Sequence, residues 1–149
     1  MPLFIIDTNV VVAGLITSNA SSATARILDA MLDGRLMYVL SPALLQEYRQ
    51  VLWRPKLTAL HRLDDAQIDQ ILADITSNAL WRDPTGTATR PAPDPGDHHL
   101  WALLEHDRET ILVTGDRLLL QQPAHKHSTM LPATFCSLFL RADSASAKA

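Results

Sequence analysis

The run Leu3-Phe4-Ile5-Ile6-Asp7-Thr8-Asn9-Val10 begins with four apolar residues and stops abruptly at a carboxylate. A short apolar run without polar alternation suits a strand buried on both faces, as in a parallel sheet covered by helices. A second run of this kind, Thr110-Ile111-Leu112-Val113-Thr114, leads directly into Gly115-Asp116. If both strands are parallel, Asp7 and Asp116 emerge at the same edge of one sheet. Open α/β sheets bind their ligands at that carboxyl edge.

Reading outward from these runs gives alternating helices and strands. Ser21 and Ser22 can cap a helix running to about Leu32, which Gly34 then ends. Leu36 to Leu40 reads as a second strand. Ser41-Pro42 is a helix start, with a capping hydroxyl followed by proline at the first helical position, and Leu44, Leu45, Tyr48, Val51 and Leu52 follow at helical spacing. Arg54-Pro55-Lys56 breaks that helix, and a short helical turn to about Leu63 follows. Asp64 caps the next helix, with Gln67 placed to return the bond. Ala79-Leu80-Trp81 reads as a short strand and 83–95 as a loop rich in Pro, Gly and Thr. Asp97 opens another helix, Met130-Leu131 forms a final strand, and Pro132-Ala133 begins a last helix. The alternation predicts an α/β sandwich with a mostly parallel sheet.

The chain has 149 residues, which suggests one domain over 1–141 and a flexible small-residue tail over 142–149. Hydrophobic residues make up 47% and charged residues 19%, which excludes a disordered or fibrous chain. One cysteine, Cys136, excludes an internal disulfide framework and a cysteine-based zinc site, and its apolar helix predicts a buried, inert thiol. The apolar N-terminal stretch has no positive flank, is interrupted by Asp7, Thr8 and Asn9, and is shorter than the ~18 residues of a spanning helix. We therefore expect a soluble, cytoplasmic protein with no membrane partner. The net charge of −3 disfavours binding to nucleic acid by bulk electrostatics alone.

The acids supply a local remedy. Glu47 lies less than two turns into the helix that follows the second strand, and Asp94 and Asp97 flank the start of a later helix. With Asp7 and Asp116 they converge on one sheet edge. Two such charges at 4 Å repel by roughly 4 kcal/mol at an effective dielectric of 20. A cluster of this kind requires protons or a cation, and oxygen donors without Cys or His select a hard ion such as Mg²⁺ or Mn²⁺. An ion so held recruits phosphates and activates water, which is the chemistry of phosphodiester hydrolysis.

Four blocks of the chain, in order, resemble the PIN-domain nucleases. They are Ile5-Ile6-Asp7-Thr8-Asn9-Val10, then Ser41 to Tyr48 with Val51 to Lys56, then Asp94-Pro95-Gly96-Asp97, and finally Val113-Thr114-Gly115-Asp116. The resemblance extends from Leu3 to about Leu140 and is greatest to bacterial PIN proteins described as toxins of toxin–antitoxin pairs. It implies a three-layer α/β/α sandwich around a five-stranded sheet of order 3-2-1-4-5, and endonucleolytic cleavage of single-stranded RNA. It implies Asp7, Glu47, Asp97 and Asp116 as the catalytic, metal-binding acids, Asp94 as an additional ligand, and Asn9 and Thr114 as supporting residues. Gly96 stands where this branch often carries another acid, so the resemblance implies two metals but leaves one tight site as the fallback. The implied partners are single-stranded RNA and a protein antitoxin, and a domain this small is also a candidate homodimer.

Other side chains have competing readings. Arg54, Lys56, Arg90 and Arg117 are candidates to touch RNA phosphates, against a reading as ordinary surface charge. His98-His99 and His125-Lys126-His127 lack the i, i+4 spacing of helical metal ligands, although His98 or His99 could stand near a substrate. Trp53, Trp81 and Trp101 read as core or interface anchors before base-stacking platforms. Asn9 replaces the second Asp that a haloacid-dehalogenase-type phosphatase needs, no receiver-type Lys follows the late strand, and the glycine-rich dinucleotide turn is absent. The main alternative is a PIN-fold RNA-binding or RNA-processing protein of weak catalytic power.

Overall fold

The computed structural model of the protein describes residues 2–84 and 90–140. The expected tail over 142–149 and the middle of the 83–95 loop lie outside the described residues. Apart from α1, the elements follow the order expected from the sequence: β1 (Phe4–Ile6), α1 (Thr8–Ile16), α2 (Ala23–Leu32), β2 (Val39–Leu40), α3 (Pro42–Leu52), α4 (Pro55–His61), α5 (Asp65–Asn78) and β3 (Leu80–Trp81). After the loop come a single 3-10 turn (Pro95–Asp97), α6 (His98–His106), β4 (Ile111–Val113), α7 (Arg117–Gln121), β5 (Thr129–Met130) and α8 (Pro132–Phe135), which continues as a π-helical turn over Cys136–Leu140.

Every strand pairing is parallel. β1 pairs with β4, placing Ile5 opposite Leu112, and β4 pairs with β5. β2 pairs with β3 in a separate ladder. The five strands are thus divided between two ladders rather than forming one continuous sheet, and a single bridge from Phe4 to Tyr38 links them. The expected second strand from Leu36 shrinks to two residues because only its end runs alongside β3.

β1 is buried throughout, as its unbroken apolar run requires. The Phe4 ring meets Phe135 and Phe139 edge-on, at 4.7 and 4.8 Å between centroids, which ties the C-terminal helical turn to the first strand. Gly14 lets α1 and α2 approach closely, since a Cβ there would stand 2.7 Å from the Thr24 carbonyl oxygen. Trp101 and Cys136 are buried as expected, whereas Trp53 and Trp81 are about two-fifths exposed, at 41% and 42%. Trp53 instead carries the Arg49 guanidinium over its ring at 4.7 Å.

α1 has no counterpart among the elements expected from the sequence. Its Val10-Val11-Val12 run favours strand by propensity, but Asp7 accepts from the Thr8 N–H and starts a helix, and tertiary burial of Val10, Val11 and Val12 outweighs the β-branched preference. The Asp64–Gln67 capping box forms in both directions at the start of α5. Among the described residues, no helix is long and apolar enough to cross a membrane.

Candidate active site

Parallel pairing of β1 with β4 brings the two strand ends together. The Asp7 N–H donates to the Val113 carbonyl at 3.0 Å, extending the ladder one step beyond β1. Asp7 is only 4% exposed, and both its carboxylate oxygens have protein partners. Oδ1 accepts from the Thr8 N–H at 2.8 Å, and Oδ2 accepts from the Thr114 hydroxyl at 2.7 Å and from Asn9 Nδ2 at 3.1 Å. Asn9 Oδ1 in turn accepts from the Gly115 N–H at 3.0 Å, and Thr114 Oγ1 accepts from the Asp116 N–H at 3.0 Å. Asn9 and Thr114 thus link the two acids through hydrogen bonds spanning more than a hundred residues of sequence.

Glu47 arrives from α3. The helix is capped by Ser41, whose hydroxyl accepts from the Leu44 N–H at 3.1 Å. The Tyr48 hydroxyl, fully buried, donates to the Ile6 carbonyl at the end of β1. This bond fastens α3 to the strand immediately before Asp7, and so carries the adjacent Glu47 to the same edge. Asp116 caps α7 by accepting from the Leu118 N–H at 2.9 Å, and Asp94 caps the 3-10 turn by accepting from the Gly96 N–H at 2.8 Å. Asp97 stands at the N-cap position of α6, yet its side chain makes no capping bond. The sequence offers capping as the ordinary explanation of Asp97, and the structure removes it.

Asp7, Glu47, Asp94, Asp97 and Asp116 all line one cleft of about 450 Å³, with Thr8, Asn9 and Arg54. Crowding of the acids bears on two of them, Asp97 and Asp7. Burial, then repulsion from Asp7, Glu47, Asp94 and Asp116, pushes Asp97 from 3.8 to about 6. Burial is also the main cause that raises Asp7, with Glu47 and Asp116 adding to it against the bonds from Thr114 and Thr8. Glu47 moves the other way, lowered chiefly by a hydrogen bond from His99.

A family model described as PIN domain matches residues 4–118, from β1 through the first turn of α7. The chain belongs to the PIN domain family. The matched span contains all five acids of the cleft. PIN domains are typically nucleases and bind nucleic acid. Comparison with curated proteins gave no match.

The donor set of this PIN domain fits a hydrated hard cation. The Thr8 hydroxyl oxygen is buried on the cleft wall without a hydrogen bond of normal geometry, although it lies near enough to Glu47 to favour its charged form. A water on a bound ion would satisfy it. Among the described residues, no three acidic, His or Cys side chains are gathered tightly enough to cage a bare ion.

The basic candidates divide. Arg54 lines the cleft and favours the charged form of Glu47. Lys56, Arg90 and Arg117 are exposed and do not line it; the Arg90 backbone N–H donates to Glu105 at 3.3 Å. His99, which the sequence offers only as a residue that could stand near a substrate, pairs with one of the acids. Its Nε2 lies 3.0 Å from Glu47 Oε2, a pairing of residues 52 apart in sequence. The available signal was its place on the first turn of α6, two residues after Asp97 and therefore at the same edge.

Proposed function

We propose that this PIN domain is a Mg²⁺- or Mn²⁺-dependent endoribonuclease that hydrolyses phosphodiester bonds of single-stranded RNA in the cytoplasm, as the toxin of a toxin–antitoxin pair. The antitoxin would be a small protein partner, and we read the fold as an α/β/α sandwich whose two ladders act as one five-stranded sheet. The observation that carries the reading is the convergence of five acids from four separate elements on one cleft, at a cost seen in the raised pKa values of Asp7 and Asp97. Such repulsion has a use if a divalent ion offsets it.

Asp7 and Asp116 are the residues to hold the principal ion, with Asp97 and Asp94 on the opposite side for a second. A bound ion would lower the pKa of a water nucleophile and stabilise charge on the leaving oxygen. The protein residues do the positioning. Thr114 and Asn9 hold the Asp7 carboxylate by its Oδ2 and so fix its plane. Glu47, kept ionised by its partners, is placed to orient the attacking water or to accept its proton. Arg54 offers a cation to a phosphate entering the cleft.

The test is labelled single-stranded RNA with purified protein, with Mn²⁺, with chelator, and with Asp7→Asn in Mn²⁺. Cutting in the first reaction alone supports the proposal, and equal cutting in all three ends it. Tight RNA binding without cutting would favour the RNA-binding alternative. The toxin role predicts growth arrest on expression, and unimpaired growth with active enzyme would point to RNA processing.

A further inference from the structure

His99 lies outside the set of acids, yet it is the strongest single partner of one of them. Its side chain is 20% exposed and that of Glu47 is 31% exposed, so the pair is partly shielded from water. A glutamate carboxylate is ionised at neutral pH and can only accept hydrogen bonds. The ring nitrogen facing it must therefore be the donor: His99 Nε2–H donates to Glu47 Oε2 at 3.0 Å. The other ring nitrogen, Nδ1, is buried, and among the described residues no group bonds it and turns the ring away.

The acids of the cleft are not equally constrained. Asp7 is held at both oxygens, Asp116 at one by the Leu118 N–H, and Asp94 at one by the Gly96 N–H. Those anchors are backbone donors or near neighbours at the strand edge. Glu47 has a longer side chain, and its Oε2 lies 3.0 Å from the His99 ring nitrogen.

We propose that His99 is a positioning residue for Glu47: by holding Oε2 from α6, it keeps the Glu47 side chain in one orientation, with Oε1 presented to the acid cleft. The function of that orientation rests on the nuclease reading, but the orientation itself does not. Outer partners of metal-ligating groups act in this way, and their loss typically costs about 10–100-fold in metal affinity or activity.

The test compares the parent protein with His99→Leu, which removes the donor at similar bulk, and His99→Gln, whose amide N–H can reach the same oxygen. First, in metal-free protein, side-chain ¹³C relaxation of Glu47 is expected to show an ordered carboxylate in the parent and in His99→Gln and a mobile one in His99→Leu. Second, Mn²⁺ titration of the free protein and RNA-cleavage kinetics are expected to show a 10–100-fold loss of affinity and kcat in His99→Leu, a much smaller change in KM, and recovery of most of the loss in His99→Gln. Equal order of Glu47 in all three proteins would overturn the proposal. So would equal defects in His99→Leu and His99→Gln with normal melting, because the ring would then matter only for packing. If the relaxation pattern holds while even the parent binds no Mn²⁺, the positioning role stands and the nuclease reading fails.

Discussion

Asp97→Asn should stabilise the metal-free protein at neutral pH. Ionised Asp97 is disfavoured in the fold because burial and four neighbouring acids push its pKa from 3.8 to about 6. At ~1.4 kcal/mol per pH unit this corresponds to about 3 kcal/mol as an upper bound. The side chain is only half-buried, and water screens part of the repulsion, so we expect about 1–1.5 kcal/mol in practice. The sign follows from proton binding. The folded state holds the proton more tightly than the unfolded chain, so the penalty is absent below about pH 4, grows as pH rises, and is complete above about pH 6. The gain from Asp97→Asn should therefore be largest near pH 7.5 and about half as large near pH 5. Asp7 is shifted in the same direction and remains in both proteins; Glu47 is shifted the opposite way, and its contribution is lost only as pH falls through its lowered value, below 4.5. Urea unfolding in chelator at both pH values measures the difference, and at roughly 2–4 °C per kcal/mol a thermal melt should resolve it as well. No capping bond is lost, since the Asp97 side chain makes none. A variant less stable than the parent at neutral pH, or a gain independent of pH, would refute the reasoning.

Other consequences can be measured on the same preparation. Asp7→Asn should leave the protein folded, since the amide oxygen can still accept from Thr8, yet reduce RNA cutting by about 100-fold or more, the scale of removing one electrostatic group from a reacting centre; a folded variant that cuts like the parent would contradict it. Tyr48→Phe removes the bond that fastens α3 to the end of β1 and should cost about 1 kcal/mol in chemical denaturation; unchanged stability would show that this contact does not hold α3. Gly14→Ala forces a Cβ to 2.7 Å from the Thr24 carbonyl oxygen and should cost about 1–3 kcal/mol by separating α1 from α2; a stabilised variant would mean that the two helices can move apart freely.

Much of this arrangement was legible in the sequence because the decisive signals are local. An apolar run ending in a carboxylate marks both β1 and β4, and the Ser41-Pro42 and Asp64–Gln67 signatures start α3 and α5 where the structure has them. Parallel pairing then brings Asp7 and Asp116 together, as the sheet-edge argument requires. The features that escaped are those set by tertiary context. The β-branched valines of α1 give the sequence no helical mark, and β2 is too short for its pattern to fix its bounds. The two ladders meet at the Phe4–Tyr38 bridge rather than in a continuous pairing, which no periodicity encodes. His99 reaches Glu47 only because α3 and α6 meet at the same edge, and neither residue carries a local mark of the other. Asp97 reads in the sequence both as a helix start and as one of the converging acids, and the missing capping bond with the raised pKa favours the second reading.

The most direct measurement is anomalous X-ray scattering from crystals soaked in Mn²⁺. The account predicts a peak in the acid cleft, in contact with Asp7 or Asp116 through an oxygen and partly ringed by water. A cleft without a peak at Mn²⁺ concentrations that saturate other nucleases, or a peak bound only elsewhere on the surface, would contradict it.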